Sequence, residues 1–216
     1  MLIVRTKDRN QESQIEPLLE ANFPIQLGSL ISSMHGYSLY SALKLQIPWF
    51  GDCQTTSISS IAGIKNGKGQ IETQEFSRLF IRTPLSKASS LYSLAGKTLS
   101  IGQGEISLKI PTIAPLTPKS TLKARIVVIH LFPRESNSLP DRFLAAATRQ
   151  LKEREIKGKV SIMLRQGALD RKALIVKGYR DPGFGVQVTG LNDEDSLKLK
   201  TLGLGGRNKM GAGFFV

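Results

Sequence analysis

Residues 117–216 predict an α+β unit of order β-α-β-β-α-β, and residues 17–116 read as a looser version of the same order. Three observations carry this. A β-branched run at residues 123–131 has strand character. Phe143, Leu144, Ala147 and Leu151 then recur at helical spacing, with Arg142, Arg149 and Lys152 on the opposite side. The length, 216 residues, suits two compact units of about 100 residues each. The order is that of two tandem ferredoxin-like domains, here residues 17–116 and 117–216, after an N-terminal extension of residues 1–16.

The elements follow in order. Residues 18–27 read as a strand, and Pro24 puts it at an edge or a bend. Ser32 and Ser33 supply an N-cap for a helix over residues 34–45 that stops before Pro48, with His35 in its first turn. Residues 48–70, rich in Gly, Ser and Thr, give short strands and loops. Residues 78–83 alternate as a strand does. Pro84 opens a short helix to about Leu94, which Gly96 ends. Residues 105–110 are another strand, and Pro111, Pro115 and Pro118 then mark a linker. In the second half the strand at 123–131 leads to a helix over 139–156, capped by Pro140 and Asp141 near its start. Strands at 159–164 and 171–179 follow. Residues 184–188 form a third, or continue the second past Pro182-Gly183. A helix at 192–199 with an acidic first turn, a glycine-rich segment at 203–213 and a last strand at 214–216 complete the order.

Composition bounds the function. Lys and Arg exceed Asp and Glu by 30 to 17, a net charge of +13. Residues 1–113 hold 11 basic and 8 acidic groups, a net of +3; the rest hold 19 and 9, a net of +10. A basic field on one half points to a polyanion, and nucleic acid leads. No apolar run approaches the ~18 residues of a membrane span. Met1-Leu2-Ile3-Val4 has neither the basic start nor the long apolar run of a secretory signal. The single cysteine, Cys53, excludes an intrachain disulfide and a multi-cysteine zinc site, so a reducing, cytoplasmic setting is expected. No metal site or cofactor motif emerges. Asp193-Glu194-Asp195 fits a helix first turn. Residues 63–68 are one residue short of a P-loop, and residues 203–213 follow a helix and lack dinucleotide-binding spacing.

Two features carry candidate chemistry. His35 stands at a helix start beside Gly36, amid hydroxyls that include Tyr37 and Tyr40, where a phosphate is attracted. His130 sits in the apolar strand run and reads as structural. The segment 203–213 has five glycines in eleven residues, which allow close approach to a phosphodiester backbone, with charge from Arg207 and Lys209; Gly205, Gly206, Arg207, Asn208 and Lys209 are candidate RNA-binding residues. Arg142, Arg149 and Lys152 are placed to meet an RNA stem.

These residues resemble a known family, the CRISPR-associated endoribonucleases that process precursor CRISPR RNA, especially the branch first recognised in myxobacteria-like type I systems. The resemblance runs from about Phe23 to Val216. It rests on His35-Gly36-Tyr37-Ser38-Leu39-Tyr40-Ser41-Ala42-Leu43, on Leu94-Ala95-Gly96-Lys97 and Ala124-Arg125-Ile126-Val127, on Gly183-Phe184-Gly185-Val186, and most specifically on residues 203–216. It implies tandem ferredoxin-like domains and metal-independent cleavage of a CRISPR repeat beside a stem-loop. It also implies a catalytic histidine near the first helix, a place His35 occupies, with Tyr37 and Tyr40 as candidate partners. The expected partners are the repeat RNA, the 3′ stem-loop of the mature crRNA and a Cascade backbone subunit. Two other readings stand beside this one: a non-catalytic subunit that holds an RNA hairpin, and a basic ribosome- or nucleoid-associated protein.

Overall fold

A computed structural model describes residues 16–131 and 138–216. Apart from Glu16, the expected N-terminal extension lies outside them. The first half contains β1 (Leu18–Pro24), β2 (Leu30–Ser32), α1 (Gly36–Gln46), β3 (Ser57–Ile58), β4 (Ile64–Lys65), β5 (Gln70–Glu72), β6 (Arg78–Pro84), α2 (Leu85–Ala88), β7 (Thr98–Ile101), β8 (Gly104–Ser107) and β9 (Thr112–Pro115). Its main sheet runs β3-β6-β1-β9, with antiparallel neighbours throughout. That is the order of a ferredoxin-like unit. β2, β4 and β5 form a small separate sheet, and β7 and β8 pair as a hairpin.

Strand alternation decides which face is covered. Ala21 and Phe23 of β1, with Leu79 and Ile81 of β6, turn inward against Leu39 and Leu43 of α1 and against Leu91 and Leu94 beyond α2. Burial of these apolar side chains holds the layer together, at about 1.5–3 kcal/mol for each large one. Glu20 and Arg82 alternate onto the other face.

The second half repeats the plan with β10 (Thr121–Val127), α3 (Leu139–Glu153), β11 (Lys159–Ile162), β12 (Leu164–Arg165), β13 (Ala168–Leu169), β14 (Arg171–Val176), β15 (Tyr179–Thr189) and α4 (Asp193–Leu202). β15 pairs with β10 on one side, and with β11 and β14 on the other. The chain end completes the sheet: Phe215 bridges to Ala124, and Lys123 and Val216 exchange both backbone hydrogen bonds at 3.0 and 2.9 Å. Phe143, Ala147 and Leu151 of α3 and Leu199 of α4 pack on Leu122, Ala124, Val186 and Val188. Asn192 caps α4 by accepting from the Asp195 N–H at 2.7 Å.

Several expectations are corrected. β1 is a central strand, between β6 and β9; Pro24 is tolerated because it is the last residue of the strand. The expected proline-marked linker contains β9, the edge strand of the first sheet. The N-cap of α1 is His35, not a serine, and its side chain makes no capping bond. α3 stops at Glu153, and Glu155 then takes a positive φ of 54°. β14 and β15 turn at Lys177-Gly178, where φ is 50° and 82°, so Pro182 and Gly183 lie inside one strand.

The two halves meet through buried polar contacts. Arg82 is 1 % exposed. Its Nε donates to Glu20 Oε2 at 2.8 Å, its Nη1 to the Lys200 carbonyl at 2.8 Å and its Nη2 to the Phe215 carbonyl at 2.6 Å. The guanidinium lies 3.8 Å over the Phe214 ring. One β6 side chain thus joins its own sheet to α4 and to the C-terminal segment of the other half, where the strand expected at 214–216 is a single bridge at Phe215. Gly36 is needed at a second contact, since a Cβ there would stand 2.2 Å from the Met210 carbonyl oxygen.

Candidate functional site

Two grooves lie on either side of the start of α1. The first is strongly basic. Lys65, Arg125, Arg165, Arg171, Lys172 and Arg180 line it, with His35 at its wall. The hairpin β12–β13 turns at Gln166-Gly167, with φ of 52° and 79°, and holds Arg165 on its rim. β14 supplies Arg171 and Lys172, and Lys172 Nζ pairs with Asp170 at 2.5 Å. Arg125 Nη1 donates to the Ile61 carbonyl at 3.2 Å, across the junction of the halves. Burial lowers the Arg125 pKa, and Asp170 opposes the shift; an arginine keeps its charge regardless. Like charges lining a concave wall focus the field and draw in a polyanion.

His35 is 1 % exposed. Its Nδ1 donates to the Ser32 carbonyl at 2.8 Å, and its Nε2 accepts from the Ile61 N–H at 3.0 Å. Because Nε2 receives a proton donor, the ring is the neutral Nδ1–H tautomer. Burial, and then the Arg125 charge, pull its pKa down to about 4, against the Ser32 bond. Both ring nitrogens are used inside the protein. In this conformation His35 has neither a proton nor a lone pair to offer a substrate.

Tyr37 and Tyr40 face away from the basic groove. With Lys44, Lys177, Tyr179 and Arg207 they line the second groove. The catalytic set expected from sequence is therefore divided between the two. Asp181 also lines the second groove and is 2 % exposed. Arg207 Nη2 lies 3.3 Å from Asp181 Oδ2, and His130 Nδ1 lies 3.9 Å from Asp181 Oδ1. His130 is not the packed strand histidine expected. It follows the end of β10, and its side chain is 46 % exposed.

The glycine-rich segment seals the junction from inside. The Gly205 N–H donates to Gln150 Oε1 at 2.8 Å, and the N–H groups of Gly206 and Gly213 donate to the Val128 and Ile126 carbonyls at 2.9 and 2.8 Å. The Lys209 ammonium donates to the Gly51 carbonyl at 2.6 Å, and Asn208 Nδ2 to the Leu202 carbonyl at 3.2 Å. These groups, expected to face a phosphate, hold the loop in place. On α3, Lys152 is exposed, and Arg149 is 70 % exposed beside Glu153 at 3.5 Å. Arg142 is half-buried.

Sequence reasoning placed binding on α3 and the glycine loop and missed the groove residues Arg125, Arg165, Arg171, Lys172 and Arg180. A signal existed: Arg165, Arg171, Lys172, Lys177 and Arg180 crowd residues 165–180. Among the described residues, no group of three or more His, Cys, Asp or Glu side chains is placed to hold a metal ion. None of the described helices is long and apolar enough to cross a membrane.

The CRISPR family described as Cas6 matches residues 19–216. The CRISPR-associated endonuclease Cas6 of Myxococcus xanthus (strain DK1622) is 30 % identical over 194 residues, covering 90 % of this chain and 79 % of that protein. A solved CRISPR-associated protein Cas6 superposes with a TM-score of 0.61 at 14 % identity, over 93 % of this chain and 98 % of that one. A solved RAMP protein described as binding different RNA substrates gives a TM-score of 0.58 at 15 % identity, with the same coverage. Fold and sequence agree, and this chain belongs to the Cas6 family of CRISPR-associated proteins.

Proposed function

We propose that this protein cleaves CRISPR repeat RNA beside a stem-loop, without a metal ion. The 2′-hydroxyl next to the scissile phosphate attacks phosphorus in line. The bond to the 5′-oxygen breaks, leaving a 2′,3′-cyclic phosphate and a 5′-hydroxyl. The observation that carries this reading is the basic groove at the junction of the two halves, lined by Arg125, Arg165, Arg171 and Arg180. Such a wall grips the stem backbone and offsets the charge that builds on the phosphorane. Tyr37 and Tyr40 line the neighbouring groove, where the unpaired strand leaves the stem. We assign residues 17–116 and 117–216 as the two domains that present these grooves. The product hairpin stays on the protein within a cytoplasmic Cascade-type complex, beside its backbone subunit.

The test is incubation with the host's own repeat RNA in EDTA and in Mg²⁺. Equal cleavage in both is expected; cleavage that vanishes in EDTA and returns with Mg²⁺ contradicts the metal-independent route. A second reading is favoured by one observation, the engagement of both His35 ring nitrogens. In that reading the chain holds the hairpin and does not cut. Tight binding of the repeat with no fragment in either buffer supports it.

A further inference from the structure

We propose that Asp170 is a positioning residue of the basic groove, a carboxylate that holds the Lys172 ammonium and the Arg125 guanidinium where they meet phosphates of an RNA stem. The proposal rests on the reading of that groove as the RNA site. Among the described residues that line the groove, Asp170 is the one carboxylate, set against six cations. A negative charge there repels a polyanion, so it weakens binding unless it has a second effect. The Asp170 side chain is 11 % exposed, and Lys172 Nζ donates to its Oδ1 at 2.5 Å.

The fold builds a seat for this carboxylate. β11 and β14 pair with successive stretches of β15, and the hairpin β12–β13 leaves the sheet between them. Gly185 of β15 stands at that gap. Its N–H donates to the Asp170 carbonyl at 2.9 Å, and its carbonyl accepts from the Met163 N–H at 2.8 Å. The Asp170 N–H donates to the Met163 carbonyl at 2.8 Å, which closes the base of the hairpin. A Cβ on Gly185 would collide with Asp170 Oδ2, so the carboxylate occupies the space of the missing side chain. On the other edge of β15, the register of β10 shifts between Ala124 and Val127, which sets Arg125 in a bulge opposite Gly185. A bulge re-aims a side chain. Arg125 and Lys172 thus come from strands on opposite sides of β15, and Asp170 acts on both. It accepts from Lys172, and its charge favours the protonated guanidinium of Arg125. Long cationic side chains lose rotamer freedom when they grip a phosphate, and holding them in place beforehand removes part of that loss.

The experiment measures the salt dependence of affinity for the host repeat hairpin with wild type, Asp170→Asn, Asp170→Ala and Arg165→Ala. A melting curve and the affinity for an unstructured RNA of equal length accompany each. Both Asp170 variants remove a negative charge, so charge alone predicts tighter binding and a slope at least as steep. Positioning predicts the opposite sign: weaker hairpin binding, a slope lower by about 0.7–0.9 for each cation released, and unstructured RNA bound no more weakly than by wild type. Asp170→Asn keeps the side-chain shape over Gly185, and Asp170→Ala removes the acceptor as well. In either variant that melts as wild type does, a slope that matches or exceeds the wild-type slope overturns the proposal. An equal loss of affinity for hairpin and unstructured RNA overturns it too, and loss of the fold in both variants makes Asp170 a structural residue instead. If Arg165→Ala also leaves the slope unchanged, the groove holds no phosphate, and the reading beneath the proposal falls with it.

Discussion

The Nε2 of His35 accepts the Ile61 backbone N–H at 3.0 Å, and this bond ties the start of α1 to the segment after β3. The other nitrogen donates to the Ser32 carbonyl, so a single neutral ring satisfies two backbone groups beside the basic groove. A protonated ring cannot accept from Ile61. The ring's folded pKa, about 4, lies below the ordinary value of 6.5. Between these values the unfolded chain binds a proton that the folded chain does not, so stability is full above pH ~6.5 and falls as pH drops toward ~4. The loss on this account is about 3 kcal/mol. Urea unfolding of wild type and His35→Gln at pH 7 and pH 4.5 checks it. The variant is expected to be less stable at pH 7 and to lose less on acidification. Parallel losses in both contradict the assignment.

Arg82 and Glu20 make the second prediction. Arg82→Ala strips donors from the Lys200 and Phe215 carbonyls and leaves Glu20 without its cation. Breaking a buried charged network by removing one partner costs about 3–5 kcal/mol. Arg82→Lys is expected to recover little, because an ammonium cannot reproduce the planar fork that serves three acceptors. Chemical denaturation midpoints measure both.

Gly205 and Gly206 are neighbours with opposite tolerances. Gly205 has φ +69°, and a Cβ on it would stand 2.2 Å from the Val128 carbonyl oxygen; Gly206 has open space around the same position. Gly205→Ala is expected to destabilise by about 2 kcal/mol or more, from left-handed strain together with overpacking. Gly206→Ala is expected to stay within about 0.5 kcal/mol. Thermal melts of the two variants separate them, and equal losses contradict the loop geometry.

The two basic surfaces are expected to separate by salt dependence. Each lost phosphate contact lowers the slope of log affinity against log salt by about 0.7–0.9. Arg165→Ala and Arg171→Ala, on the groove, are each expected to show that drop on the repeat hairpin. Arg149→Ala with Lys152→Ala tests the exposed face of α3 in the same titration. An unchanged slope there means that α3 faces away from the RNA.

The pattern of Leu122, Ala124, Phe143, Ala147, Val186 and Val188 made the second half readable, because strand and helix periods both matched the faces they bury. β9 escaped because prolines bracket an edge strand that runs only from Thr112 to Pro115, where no ladder partner lies beyond to forbid them. His35 is buried and His130 exposed, the reverse of what their neighbours in the sequence suggest, for a non-local reason. The partner that closes His35 is Ile61, 26 residues away, and the carboxylate that faces His130 lies on β15. Neither contact has a local signature. The basic groove was hidden in the same way, since Arg125, Arg165 and Arg171 come from three different strands and meet only in the folded chain.

The most direct test of the central claim is a repeat RNA carrying a single 2′-deoxy nucleotide at the scissile position. Attack by the neighbouring 2′-oxygen requires that hydroxyl, while hairpin binding through the phosphates does not. The deoxy RNA is expected to bind with unchanged affinity and to remain whole, while the all-ribose RNA yields a fragment ending in a 2′,3′-cyclic phosphate. Cleavage of the deoxy RNA at the same position would contradict the account.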